Sequence, residues 1–380
     1  MDKVYHFSAP GRTEIGGNHT DHQHGCVLAA AVDMTTTAEV TLNGTKRIRV
    51  NSEGYKPVEI DLSDLAVKGS EKNTTAALIR GVAAAFAQRG YKLAGFDAKV
   101  SSTVLPGSGL SSSAAFEVLI GRILNGLFAD NAVSAIEIAQ IGQYAENVYF
   151  GKPSGLMDQM ASSVGGLVFI DFADPKRPIV EKIDHDFAHC GYTLCIIDSG
   201  ADHADLTAEY AAIPAEMKNV AAYFEKDVLR DVDEDEFYKA LPKLRKAVGD
   251  RAVVRAMHFY NDCRRAAQLC DAVRDDDFET FLRLIIEGGH SSFEFNQNAY
   301  SIKNPKEQGV PVALALSQRV LNGRGAWRLQ GGGFAGTIQA FVPVDLLDAY
   351  KAAIDGCFGE GSCHVLNIRN YGAVPVTPDM

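Results

Sequence analysis

The segment from Leu105 to Ala115, with the sequence LPGSGLSSSAA, constrains the fold of this chain more than any other. Residues 96 to 100 alternate as in a strand, and the residues after the segment follow the spacing of an amphipathic helix. Glycines at 107 and 109 permit positive φ and let a ligand approach the backbone closely. The first N–H groups of the helix lack partners within it and lie at the positive end of its dipole, so a phosphate fits there. No lysine follows the glycines as in a Walker A loop, and the alternative is a plain turn with serine caps.

Length and charge limit the class of protein. At 380 residues the chain is too long for one ordinary core, so we expect two domains. Polar residues 173 to 189 precede an apolar segment at 192 to 198, which predicts domains of 1–190 and 191–380. The net charge of −11 argues against nucleic-acid or acidic-membrane partners, because either would need a basic surface.

The cysteines and the apolar runs predict a cytoplasmic protein. The seven cysteines include no C-x-x-C pair, which favours reduced thiols over a disulfide framework. No apolar run approaches the roughly 18 residues of a membrane span, and the first residues lack the apolar core of a signal peptide. We therefore expect no membrane partner.

Local patterns predict further elements. Asn43-Gly44 lies between two alternating segments, which predicts a β-hairpin. Residues 74 to 89 have the spacing of an amphipathic helix, and Ser134 with Glu137 forms a capping box at the start of another helix.

Two more clusters of glycine and polar residues suit the edge of a ligand site. Residues 9 to 28, APGRTEIGGNHTDHQHGCVL, form a dense polar run between predicted strands. Near the other end, Leu329 to Gly336 contains three consecutive glycines and leads into an alternating segment at 337 to 342. Triple glycine before a strand indicates either a sharp bend or a group lying against the backbone.

In this order and spacing, the three segments resemble the GHMP kinase superfamily, and within it the galactokinases. The run from Gly11 to Leu28 is similar to the galactokinase signature G-R-V-N-L-I-G-E-H-T-D-Y-N-x-G-x-V-L. Pro106 to Ala115 resembles the superfamily's phosphate loop, and Gly331 to Gly336 its third motif. Gly155 to Gln159, GLMDQ, matches the sequence around the galactokinase catalytic aspartate.

The resemblance implies a two-domain α+β GHMP kinase fold. Its N-terminal domain would be like domain 2 of ribosomal protein S5, and its C-terminal domain would be ferredoxin-like, with the active site in the cleft between them. The implied reaction is transfer of the ATP γ-phosphoryl group to the 1-hydroxyl of D-galactose, giving α-D-galactose 1-phosphate. A hexose and ATP are then the partners, with Mg²⁺ as cofactor, and the chain would be a monomer or a weak homodimer.

The resemblance also implies roles for individual residues. Asp158 would accept the hydroxyl proton, with Arg12 keeping its carboxylate ionised. Ser113 and Glu146 would be the Mg²⁺ ligands, since a hydroxyl and a carboxylate suit a hard cation. The predicted sugar contacts are Arg12, Asn18, His19, Asp21, Gly155, Asp158 and Tyr210. The predicted nucleotide contacts are Pro106, Gly107, Ser108, Gly109, Leu110, Ser111, Ser112, Ser113, Ala114, Gly332 and Gly333.

Each of these residue types has a plainer alternative. Asp158 could cap the following helix, Glu146 could be an exposed helix residue, and Tyr210 could belong to the core. His19 could join the histidines at 22 and 24 in a metal cluster, although the run lacks a second ligand pair at zinc spacing.

Three departures from the galactokinase pattern bear on the substrates. Asn18 replaces the usual glutamate that accepts a hydrogen bond from the sugar 6-hydroxyl, and Glu14 replaces the usual asparagine. A neutral amide does not repel a carboxylate at carbon 6, so galacturonate or another hexuronate is an alternative substrate. Thr75 stands where many galactokinases place a tryptophan against adenine, which leaves the base preference open.

Two other classes of function remain as alternatives. A non-catalytic sugar sensor would need no group for proton transfer, so Ser113, Glu146 and Asp158 argue against it. A kinase of a non-sugar alcohol is disfavoured by the His-Thr-Asp run that begins at His19.

Overall fold

A computed structural model of the chain describes residues 3–104, 109–185, 187–200, 206–334 and 336–376. The strands are β1 Val4–Gly16, β2 Cys26–Leu42, β3 Arg47–Ser52, β4 Val58–Asp61, β5 Phe96–Ser102, β6 Leu167–Asp171, β7 Ile179–Ile183, β8 Tyr192–Asp198, β9 Ala326–Leu329, β10 Thr337–Pro343, β11 Cys363–Leu366 and β12 Val374–Val376. The α-helices are α1 Thr75–Gln88, α2 Ser112–Phe128, α3 Ala135–Tyr144, α4 Met157–Val164, α5 Thr207–Tyr223, α6 Glu234–Val248, α7 Asp250–Arg274, α8 Phe278–Ser291, α9 Gly309–Leu321 and α10 Leu347–Phe358.

The chain forms two compact units, neither of which is continuous in sequence. The first contains the described residues up to 12, residues 30 to 166 and those from 368 onward, and the second contains 13 to 29 and 167 to 367. The domain boundary predicted between residues 190 and 191 stays a prediction.

In the first unit, helices α1, α2 and α3 pack on a sheet whose neighbouring strands include β2, β5, β3 and β4 in that order. Strand β5 runs antiparallel to β2 and parallel to β3. Its alternate residues Phe96, Ala98 and Val100 are buried in the shared core, as the pattern predicted. The predicted strand and the predicted helix are both present, and the helix begins at Ser112. Residues 105 to 108 of the predicted turn lie outside the described residues.

The predicted hairpin around Asn43-Gly44 is wrong. The segments 38–42 and 47–50 are both strands, but β5 lies between them in the sheet. The turn itself forms, because the Asn43 side chain accepts from the N–H of Thr45 and donates to the Arg47 carbonyl. Its Nδ2 also donates to Asp97 of β5 at 2.7 Å, so the turn is attached to the intervening strand.

The other local predictions are confirmed. Helix α1 covers 75 to 88 and is followed by Gly90 at φ +88°. Ser134 and Glu137 form the reciprocal hydrogen bonds of a capping box at the start of α3.

The second unit has its own core. Strands β11, β8, β10 and β9 form an antiparallel sheet in that order, on which α9 and α10 pack. A second apolar cluster is formed mainly by α5, α6 and α7. Within the part of the chain that the structure describes, no helix has the length and apolar character needed to span a membrane.

Candidate active site

Asp158 lies in the first turn of α4 and is held by two other segments of the first unit. Its Oδ1 accepts from Arg12 Nε at 2.7 Å, and its Oδ2 accepts from Arg12 Nη2 at 2.8 Å and from Ser111 Oγ at 2.6 Å. The third guanidinium nitrogen, Nη1, donates to the carbonyl of Gly109. The Asp158 carboxylate thus accepts hydrogen bonds from Arg12 and Ser111, and it does not cap α4.

The surroundings of Asp158 favour its charged form. Burial alone raises the pKa of this carboxyl, but the charge and hydrogen bonds of Arg12, together with the Ser111 hydroxyl, outweigh burial and lower the pKa overall. The Arg12 side chain is only 7% exposed, whereas that of Asp158 is 31% exposed. The Asp158 carboxylate is therefore ionised, held in a fixed orientation and still accessible to solvent.

The described part of the glycine loop leads directly into α2. Pro106, Gly107 and Ser108 lie outside the described residues. Gly109 and Ser111 have φ of +69° and +58°, and the Arg12 N–H donates to the Leu110 carbonyl at 3.0 Å. No side chain caps the start of α2, because the Ser111 hydroxyl bonds to Asp158 instead. The first N–H groups of α2, which include Ser113 and Ala114, suit an anion.

A cavity of about 450 Å³ opens beside the start of α2. Its lining includes Ser112, Ser113, Phe116 and Phe150. Thr75, the residue at the predicted place of tryptophan, also lines it. A cavity lined by hydroxyl-bearing residues at a helix start and by aromatic residues suits a nucleotide.

Glu146 is buried and not the exposed helix residue of the plainer alternative. It lies in a π-helical turn, Ala145–Phe150, and is 4% exposed. Its Oε2 accepts from Ser154 Oγ at 2.6 Å and from Gln159 Nε2 at 2.9 Å, and its Oε1 contacts Lys152 Nζ at 3.2 Å. A buried carboxylate with a fixed orientation, together with the cavity-lining hydroxyl of Ser113, has the oxygen chemistry that Mg²⁺ prefers.

Sequence reasoning missed two residues beside Glu146. Glu117 on α2 and Gln159 on α4 are both 0% exposed, and Gln159 Nε2 donates to both glutamates. A signal was present, since Glu117 interrupts the apolar pattern of α2 one turn after Ser113.

Asn18, in the second unit, is 0% exposed and its amide is engaged within the protein. Its Nδ2 donates to Glu14 Oε1 at 3.0 Å and to the Gly331 carbonyl at 2.7 Å, and its Oδ1 accepts from Asn298 Nδ2 at 2.9 Å. Glu14 in turn pairs with Arg328 at 2.6 Å. In this structure the Asn18 side chain therefore offers neither amide hydrogen to a ligand.

Two other predicted sugar contacts in the second unit, His19 and Tyr210, contact the third glycine motif. His19 Nε2 lies 3.1 Å from the Gly332 carbonyl, and the Tyr210 hydroxyl donates to the Gly333 carbonyl at 2.9 Å. A Cβ on Gly332 would lie 2.6 Å from the Tyr210 ring, and one on Gly333 would lie 2.1 Å from the Asn298 carbonyl oxygen. Of the two alternatives for the triple glycine, a group lying against the backbone is present, and it consists of the Tyr210 ring and the main chain of Asn298.

Protonation of the signature histidine is disfavoured. Burial lowers the pKa of His19 to about 4, despite the opposing hydrogen bond to the Gly332 carbonyl. Asp21, next in the signature, is half-buried and accepts the His22 N–H at 2.9 Å. Among the described residues, no group of three His, Cys, Asp or Glu side chains has an arrangement that could hold a metal ion. Gly155, in the first unit, is half-buried on the loop before α4.

Comparisons with known proteins indicate the family and the fold of the chain. The model of the GHMP kinases N terminal domain matches residues 77–166, and the galactokinase galactose-binding signature matches residues 2–42. The fold is that of crystal structures of this class. Lactococcus lactis galactokinase complexed with galactose gives a TM-score of 0.83 at 24% identity, covering 98% of this chain and 95% of that one. Methanococcus jannaschii mevalonate kinase gives 0.65 at 16% identity, covering 97% and 99%.

These matches define a GHMP kinase fold, with mixed helices and sheets as the sequence predicted. Among curated proteins, a galactokinase from Streptomyces coelicolor is 33% identical over 376 residues, which is 97% of this chain and 92% of that relative. The chain belongs to the galactokinase family. It is accordingly a sugar kinase, a transferase whose substrates are a sugar and ATP.

Proposed function

We propose that this protein transfers the γ-phosphoryl group of ATP to the anomeric 1-hydroxyl of D-galactose, giving α-D-galactose 1-phosphate and ADP. The observation that carries the proposal is the position of the Asp158 carboxylate. Arg12 and Ser111 hold it by hydrogen bonds beside the glycine loop that leads into α2. Family membership supplies the reaction class, and the fixed carboxylate supplies the acceptor for the hydroxyl proton.

In the proposed step, the sugar 1-oxygen forms a bond to the γ-phosphorus while the bond from that phosphorus to the β,γ-bridging oxygen breaks. The hydroxyl proton passes to Asp158, which must be ionised to take it. Arg12 performs two tasks here. It keeps the carboxylate charged, and it places positive charge beside the loop where the transferred group would sit.

Nucleotide contacts are proposed along the loop and the start of α2. The backbone from Gly109 to Ala114 offers N–H groups to the phosphates, and the cavity beside it has room for the base. Ser113 and Glu146 would hold Mg²⁺, which neutralises phosphate charge when it is bound. Pro106, Gly107, Ser108, Gly332 and Gly333 stay predicted nucleotide contacts.

The state of Asn18 supports a neutral hexose as substrate. Galacturonate would need a free hydrogen-bond donor for its carboxylate, and both amide hydrogens of Asn18 already have protein acceptors. Arg328 is likewise engaged with Glu14 and with two main-chain carbonyls. The sugar contacts predicted from the resemblance, including His19, Asp21 and Tyr210, stay predictions.

The test is sugar-dependent ADP release with Mg-ATP and a panel of galactose, glucose, N-acetylgalactosamine, galacturonate and no sugar. We expect galactose to give the highest kcat/KM, and ³¹P NMR of the product to show an anomeric phosphate. Preferred turnover of galacturonate would overturn the assignment of the sugar. Galactose binding in calorimetry with no ADP release would indicate a sensor and overturn the catalytic proposal. Light scattering of the same sample tests the expected monomer or weak homodimer.

A further inference from the structure

One amide joins two buried carboxyl groups in the first unit. Gln159 Nε2 donates to Glu117 Oε2 and to Glu146 Oε2, and both distances are 2.9 Å. A primary amide has two N–H hydrogens, so it can serve each carboxyl group with one. The exposed fractions are 0% for Gln159 and Glu117 and 4% for Glu146. Solvent therefore does not replace the amide as a donor at this place.

The two carboxyl groups that share the Gln159 amide have different surroundings. Burial raises the pKa of Glu117 well above its ordinary value, and the nearby charge of Glu146 raises it further. Glu146 has positive and hydroxyl partners in Lys152 and Ser154. Glu146 therefore has an amine and a hydroxyl as partners besides the Gln159 amide.

The arrangement of Gln159 and Glu117 is unfavourable for stability when taken by itself. Within the described residues, Glu117 Oε1 and Gln159 Oε1 are buried and have no hydrogen-bond partner. A buried polar atom without a partner is unfavourable for stability. Gly142 on α3 leaves the space for the pair, since a Cβ there would lie 3.1 Å from Gln159 Cγ and 3.3 Å from Glu117 Oε2.

The amide also connects the elements that carry the proposed chemistry. Glu117 is one turn after Ser113 on α2, and Gln159 follows Asp158 on α4. Buried Gln159 and half-buried Ser154 both donate to Oε2 of Glu146. The partner of Oε1 is the amine of Lys152, whose side chain is 60% exposed. One oxygen of Glu146 is thus anchored inside the protein, and the other has a partner that can move into solvent.

We propose that Gln159, supported by Glu117, is a positioning residue that fixes the Glu146 carboxylate with Oε1 available to the divalent cation that accompanies ATP. The proposal rests on the proposed function, because it takes Glu146 as a cation ligand. Gln159 acts through Glu146 and contacts neither substrate. Loss of its amide frees the carboxylate to rotate and weakens cation binding without removing the ligand.

The test compares Gln159→Met, which keeps the length and volume but removes both N–H donors, with Gln88→Met. Gln88 is exposed at the end of α1, so it controls for the substitution itself. The first readout is thermal stabilisation of each protein by ATP as Mg²⁺ is titrated without sugar. The second is ATP affinity in EDTA. We expect the half-saturating Mg²⁺ to rise about 10- to 100-fold in Gln159→Met, while the affinity for metal-free ATP and the behaviour of Gln88→Met match the wild type.

An unchanged Mg²⁺ midpoint in Gln159→Met would overturn the positioning role. An equal loss of metal-free ATP affinity would also overturn it, since that result indicates a structural role. If Gln159→Met does not fold, Gln159→Asn gives the answer, because its amide is withdrawn by one carbon and should raise the midpoint as well. Failure of the proposed function gives a different result, in which Mg²⁺ does not increase the stabilisation of the wild-type protein by ATP.

Discussion

The buried ion pair between Glu14 and Arg328 should contribute measurably to the free energy of unfolding. Arg328 Nη2 lies 2.6 Å from Glu14 Oε1, and the two side chains are 1% and 3% exposed. The guanidinium also donates to the Ile15 carbonyl at 2.6 Å and to the Leu329 carbonyl at 2.9 Å. Glu14→Gln keeps the shape and these carbonyl contacts but removes the carboxylate that neutralises the buried cation.

The expected loss follows from that uncompensated charge. Removing one partner of a buried ion pair costs about 3–5 kcal/mol, and the carbonyl contacts that remain place the expectation near the lower figure. An exposed pair in the same unit is the matched control. Arg324 and Asp345 form two hydrogen bonds of 2.7 and 2.9 Å but are 54% and 63% exposed, so Asp345→Asn should cost at most about 1 kcal/mol.

The assay is urea unfolding followed by the fluorescence of Trp327, the one tryptophan of the sequence, which lies next to Arg328 on β9. The difference in midpoint multiplied by the slope gives the change in unfolding free energy. The double variant Glu14→Gln with Arg328→Met should recover part of the loss, because the unpaired charge is removed. Equal losses in Glu14→Gln and Asp345→Asn would refute the reasoning.

Three further predictions use other parts of the chain. Asp158→Asn should keep ATP binding and lower kcat by about 10²- to 10⁴-fold, and near-normal ADP release would remove Asp158 from the mechanism. His19 has a pKa of about 4 in the folded protein against an ordinary value of 6.5. The unfolded chain therefore binds this proton first, and stability falls as the pH decreases from 6.5 towards 4. Over that range His19→Gln should lose about 1–3 kcal/mol less than the wild type in urea titrations, and parallel curves would contradict this. Gly165→Ala should lower the melting temperature far more than Gly54→Ala, because both glycines have positive φ but only at Gly165 would a Cβ lie 2.0 Å from the backbone of Gly372; similar shifts would contradict it.

Much of the local structure followed from the sequence because short-range physics determines it. The alternation in β5, the helix after the glycine loop and the capping box at Ser134 each depend on residues within a few positions of one another. The pairing of β2 and β3 does not, since a strand more than forty residues further along the chain lies between them. The turn signal at Asn43-Gly44 fixed the reversal of the chain and left the partner undecided.

The candidate site shows the same division. The bidentate contact of Arg12 with Asp158 joins residues 146 positions apart, and only the resemblance to galactokinases suggested that they meet. The contact between Glu117 and Gln159 was not predicted, because a glutamate in an apolar helix pattern indicates a buried carboxyl group without indicating its partner. Burial and partner identity are properties of the tertiary structure.

Asn18 and Glu14 show how two separate departures can have one cause. Taken position by position, glutamate and asparagine have exchanged places relative to the galactokinase pattern, and Asn18 alone suggested a changed sugar pocket. In the structure the two side chains bond to each other, and Glu14 bonds to Arg328. A negative charge at 14 needs a buried cation, and a neutral donor at 18 can approach that carboxylate where a second carboxylate would repel it. The exchange therefore conserves one charge and relocates it towards Arg328, more than 300 residues along the chain.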